Sequence, residues 1–168
     1  MSNFIRGAAL ALAAAACLAA SSAAAQSAAA IEGVWKVTKV DATGANPMSL
    51  DSPAASIYMF YRGHYSNVAD TGRTPRTAVS FADPAHPTDA EKLAKYAEWN
   101  SFGAQAGTYE VKGGMLIRHP IVAKNVGALT PPDQSSEIKL AGNTLVITTH
   151  ALAGQPAREQ HLTLTRIR

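Results

Sequence analysis

The chain has 168 residues, with 15 Lys and Arg against 12 Asp and Glu, a net charge of +3 and a single cysteine. That length fits one domain, and one cysteine excludes a disulfide framework. The positive charge is mild and scattered, which excludes a nucleic-acid stripe and a membrane-surface patch.

Residues 1–25 read as a secretory signal peptide. Arg6 precedes an apolar run from Gly7 to Ala20, and Ser21 to Ala25 supplies the small residues a signal peptidase needs. The run is too short and too Ala-rich for a membrane span. Cys17 lies within it, but Ala14 stands where a lipoprotein signal carries Leu, so cleavage after Ala25 is the expectation and lipidation the alternative. The mature chain is then an exported, periplasmic or secreted, protein without cysteine, held by its core alone. Residues 26–30 read as a flexible linker and 31–168 as the domain.

Ile31 to Val40 alternates as a first strand, and Asp41 to Pro53 carries the residues of a loop. Ala55 to Tyr61 and Tyr65 to Ala69 form a hairpin about Arg62-Gly63. Asp70 to Pro87 has three prolines and little periodicity, so it reads as a long excursion over one barrel end. Thr88-Asp-Ala-Glu91 is a capping box opening one helix. Leu93, Tyr96, Ala97 and Asn100, with Trp99 and Phe102, form its expected buried side, and Gly103 its stop. Gly107 to Val122 is a second hairpin, turning at Gly113-Gly114. After a loop at Asn125 to Asp133 come strands at Ser135–Leu140, Thr144–Ala151 and Glu159–Arg168. The sum is an all-β, eight-stranded antiparallel up-and-down barrel with one α-helix inserted after the third strand.

On the strand after Gly114, Met115, Ile117, His119 and Ile121 share a face. An interior imidazole titrates near neutrality and suits acid–base work or a hydrogen bond to a bound carbonyl. The plainer reading is a core histidine tied to backbone or a tyrosine. Arg118 then points to solvent. Tyr109 and Val111 line the interior opposite the His119 row. His64, His86, His119, His150 and His161 lack metal-ligand spacing, so no metal is expected. Nucleotide fingerprints and serine elbows are missing, so no cofactor is expected either.

Gly33-Val34-Trp35 on the first strand, the Ile57–Ser66 hairpin, the helix start at Thr88, Gly107-Thr-Tyr-Glu-Val111 followed by Arg118-His119, and Leu162–Arg166 together resemble the bacterial lipocalin-like domain family. The family often carries a His-His pair where this chain has Arg118-His119. The resemblance implies a calycin-type barrel in which an arginine of the last strand packs across the tryptophan of the first. Strand parity favours Arg166 over Arg168 for that role, with Gly33 and Trp35 as its structural partners. An eight-stranded barrel either fills with side chains or holds one small ligand, and the apolar inner row broken by one titratable residue points to a small apolar or aromatic molecule, with a pocket expected at Met59, Tyr61, Tyr109, Ile117 and His119 and the Asp70–Pro87 loop near its mouth. Two alternatives stand beside it: a cofactor-independent isomerase, lyase or cyclase using His119 with Tyr109, and a filled structural barrel.

Overall fold

The computed structural model describes residues 27–72, 76–130 and 133–167. The expected signal segment with Cys17, and Gln26, Pro75, Pro131, Pro132 and Arg168, lie outside the described residues. The strands are β1 (Gly33–Gly44), β2 (Met48–Asp51), β3 (Ser56–Tyr61), β4 (His64–Asp70), β5 (Phe102–Lys112), β6 (Met115–Ala123), β7 (Gln134–Ala141), β8 (Thr144–His150) and β9 (Arg158–Ile167). Helix α1 (Asp89–Asn100) lies between β4 and β5.

All strand pairings are antiparallel, from β3 to β9 each strand pairs with the next, and β1 closes the barrel by pairing with β9 from Val34 to Gly44. That occupies one edge of β1. Its other edge takes β3 over Gly33–Lys36 and β2 over Lys39–Ala42. β2 and β3 are therefore one interrupted strand, and the barrel has eight staves. The break falls at Ser52, whose φ is 65° and whose N–H donates to the Thr38 carbonyl at 3.1 Å. The expected loop over Asp41–Pro53 is thus shorter than its Gly, Pro and Asn content implied. Cross-strand pairing extends β1 to Gly44 and recruits Met48–Asp51.

The inner wall is apolar at one end. Trp35, Phe60, Leu116, Leu145, Ile147 and Leu164 are all buried there. Ala29–Ile31 forms a short 3₁₀ turn that plugs this end, with Ile31 in the core. The Trp35 indole N–H donates to the Ile31 carbonyl at 2.8 Å, and the Tyr109 hydroxyl to the Ala28 carbonyl at 3.1 Å. Arg166 donates to the Ala30 carbonyl at 2.9 Å and to the Glu32 carbonyl. Residues 27–30 are therefore no linker, because the carbonyls of Ala28 and Ala30 accept from the side chains of Tyr109 and Arg166.

The Arg166 guanidinium also lies over the Trp35 ring, 4.1 Å from its centroid. Gly33 makes room for it. A Cβ at that position, where φ is +132°, would come within 2.6 Å of Arg166 Nη1.

Thr88 caps α1 in a full capping box with Glu91. The helix reverses the expected sidedness. Leu93, Tyr96, Ala97, Trp99 and Asn100 are exposed, while Glu91, Lys95 and Glu98 turn inward. Those polar residues hold the preceding excursion. Glu91 Oε1 accepts from the Ala82 N–H at 2.8 Å, Glu98 Oε2 accepts from the Val79 N–H at 2.8 Å, and Lys95 Nζ donates to the Val79 carbonyl at 3.1 Å. The Glu91 carboxyl is held below its usual range, first by the Ala82 N–H and then by Thr88. An irregular segment carries unpaired backbone donors, and the charged face meets that need better than an apolar one. Gly103 does not stop the helix. Ser101 caps it and Gly103 belongs to β5.

Candidate functional site

The β5–β6 turn decides which side chains enter the barrel. Gly113 and Gly114 both have positive φ, 58° and 81°, and form a two-residue turn with Lys112 opposite Met115. Val111 then faces Leu116, and Tyr109 faces Arg118. Directly opposed residues of an antiparallel pair project to the same side. Tyr109 is buried, and so are Leu116 and Arg118. Met115, Ile117 and His119 take the outer face. The expected arrangement, with His119 inside and Arg118 in solvent, is reversed.

On the outer face the His119 side chain is 40% exposed, with Nδ1 2.8 Å from Asp133 Oδ1 and Nε2 4.0 Å from Glu110 Oε1. Tyr109 lies on the other side of the wall, its hydroxyl given to Ala28. The expected His119–Tyr109 acid–base pair is therefore not assembled. Met59 and Tyr61 also point outward, at 44% and 63% exposure, while Ser56, Tyr58 and Phe60 fill the inner positions of β3. Of the five expected pocket residues, Tyr109 is the one inside.

Burial pushes the Tyr109 phenol up to about 12 from an ordinary 10.0, and the negative charge of Glu32 adds to the rise. Between those two values the unfolded chain loses this proton and the folded chain keeps it. The proton then favours the unfolded state less than the folded one, so stability is intact below pH 10.0 and falls as pH rises toward 12. The Tyr109→Phe variant is expected to show a shallower alkaline loss of stability. Ultraviolet difference titration should find the missing phenol among the last to ionise. A wild-type and variant pair with identical alkaline profiles would refute this placement.

The other half of the interior is polar. Tyr65 and Asn67 on β4, Arg118 on β6 and Ser136 on β7 are buried. Ser136 Oγ and Thr149 Oγ1 share a hydrogen bond of 2.9 Å across β7 and β8. Gln105 and Gln134 exchange amide hydrogen bonds at 3.0 and 3.1 Å, closing on one another. Three buried side-chain atoms remain without a partner among the described residues: Tyr65 Oη, Asn67 Oδ1 and Arg118 Nε. The Arg118 guanidinium sits 5.8 Å from the Tyr65 ring centroid. Burial raises the Tyr65 phenol, and the Arg118 charge offsets part of that rise.

Two cavities open from this half. One, of about 390 Å³, is lined by Val37, Val40, Tyr58, Asn67, Gln160 and Leu162 among others. The second, of about 450 Å³, is lined by Arg118, Gln134 and Thr149, with Asp133 also on its wall. Thr149 of the second is the register partner of Gln160 of the first, so the two walls carry neighbouring residues on β8 and β9. The sequence reading missed Arg118, Asn67 and Tyr65 as interior residues. Their signal was the pair of two-residue turns, at Arg62-Gly63 and Gly113-Gly114. Once Tyr109 and Val111 are taken as inward, the second turn places Arg118 beside them.

No protein-family model matches the sequence, and no curated protein matches it. Among solved structures, the chain is similar to an uncharacterized protein from Bacteroides eggerthii DSM 20697, with 9% identity and a TM-score of 0.42, covering 81% of this chain and 98% of that one.

Proposed function

We propose that this is an exported, lipocalin-like barrel that holds one small, largely apolar or aromatic molecule in its open half. The observation that carries the reading is the unfilled interior: a cavity of about 390 Å³ with Val37, Val40, Tyr58 and Leu162 on its walls. Eight-stranded barrels either fill with side chains or keep room for one ligand, and pockets of this size are typical of small-molecule sites. The Gly33-Val-Trp35 and Arg166 constellation supports the lipocalin-like assignment, and the character of residues 1–25 supports export to the periplasm or medium. An enzymatic reading through His119 loses its partner, since Tyr109 lies on the other face of the wall.

Native mass spectrometry of the processed protein from its own host tests the proposal. A small molecule is expected to co-purify with the wild type. Ala69→Leu, which adds bulk at the cavity wall, is expected to fold and to lose it. Ligand at a hundredfold excess over its Kd stabilises a protein by about 2.7 kcal/mol, so a compound screen by thermal shift provides a second reading. An empty protein with no shift across apolar and aromatic compounds would leave the filled barrel as the better description.

A further inference from the structure

We infer that Arg118 is the docking point for a carboxylate group, so that the ligand is a monoanionic amphiphile whose acid head lies against β6 and whose apolar body points toward the apolar cavity. The inference rests on the small-molecule reading above and specifies the chemistry of its ligand.

Arg118 is only 7% exposed and lines the second cavity, and its Nε, closed off from solvent, has no hydrogen-bond partner among the described residues. All Asp and Glu residues of the chain lie among the described residues, and none forms an ion pair with it. Asp133 shares its cavity but is bound to His119 Nδ1 at 2.8 Å. A guanidinium cannot shed its charge, and a buried charge left unpaired is strongly unfavourable. Stacking on Tyr65 compensates only in part. A ligand anion in the cavity supplies the missing counter-charge.

The geometry selects a carboxylate. The planar guanidinium fork matches two carboxylate oxygens. Among the described residues Arg118 is the one Lys or Arg lining this cavity, and Asp133 lies on the same wall. The single charge of Arg118 balances a monoanion and leaves a dianionic phosphate uncompensated, while Asp133 is engaged by His119. The apolar walls of Val37, Val40 and Leu162 beyond it suit the body of such a molecule.

The test is calorimetric titration of the processed protein with decanoate and 2-naphthoate, each against its primary amide. Wild type is expected to prefer the acid by about ten- to a hundredfold, the usual worth of a hydrogen bond to a charged group. Arg118→Met should bring the acid-to-amide ratio close to one, keep amide binding, and melt no lower than wild type, because it removes an uncompensated charge. Arg118→Lys should retain part of the preference, which keeps the inference testable if the Met variant does not fold. Equal wild-type binding of acids and amides would overturn the carboxylate assignment while leaving the small-molecule reading in place. Failure to bind either class would overturn both. A lower melting point in Arg118→Met with an unchanged acid preference would make Arg118 structural and overturn the inference.

Discussion

Replacing Trp35 by alanine is expected to cost about 3–5 kcal/mol of stability, a large part of what a domain of this size possesses. Trp35 is fully buried at the plugged end of the barrel. Its removal does three things together. It opens a cavity against Leu145 and Leu164, core neighbours that cannot collapse freely within a closed wall. It leaves the Ile31 carbonyl without its indole donor. It also takes away the ring beneath Arg166, whose fork holds the carbonyls of Ala30 and Glu32. The plug of Ala29–Ile31 should therefore loosen with the core. Urea unfolding followed by circular dichroism checks the magnitude, with Val34→Ala on the outer face as the control, expected to change stability by about 0.5 kcal/mol or less. A loss below about 1 kcal/mol in Trp35→Ala would mean that the Trp35–Arg166 end does not organise the barrel.

Gly107→Ala is the second large effect, expected to cost about 3 kcal/mol. Here the cause is contact between two backbones. The register of β5 and β6 slips between Ala106 and Gly107, and the strands approach closely at that bulge. A Cβ at Gly107 would overlap the His119 carbonyl oxygen and lie 2.9 Å from the His119 carbonyl carbon and from Pro120 Cα. None of these is the end of a flexible side chain, so β6 must move, and Arg118 moves with it. Gly113→Ala gives a useful comparison on the same hairpin. It has φ of +58° and open space around its Cβ, so it should lose only about 1 kcal/mol of conformational strain. Guanidinium unfolding of both variants tests the ranking. A Gly113→Ala variant as unstable as Gly107→Ala would rule out backbone crowding as the reason for the glycine at 107.

Much of the architecture was legible from local chemistry. The Thr88–Glu91 capping box, the glycine turns at 62–63 and 113–114, and the strands on either side of them depend on residues within a few positions of one another. The split of the second strand was not legible. Its first half pairs with Lys39–Ala42 through a partner chosen by closure, in a stretch whose Asn46, Pro47 and Pro53 all resemble loop. The sidedness of α1 was misread because an amphipathic pattern names two faces and does not say which one a neighbouring loop will need.

The interior was the hardest part to read. On β3, Ile57, Met59 and Tyr61 on the outside are as apolar as Tyr58 and Phe60 on the inside, and on β6 Met115 and Ile117 match Leu116 in the same way. Alternation of hydrophobic and polar residues therefore carries no sign at those strands, and a one-residue shift exchanges the two faces. By itself the sequence determined the kind and order of the elements and the places where the chain reverses, because propensity, capping and turn chemistry act over a few residues. Tertiary structure decided which face of each strand is enclosed; with Tyr109 inside, the Gly113-Gly114 turn puts Arg118 rather than His119 beside it. That outcome follows from β1 meeting β9 around a common core, a contact between segments more than a hundred residues apart in the chain, and burial is a property of the closed wall rather than of any single strand.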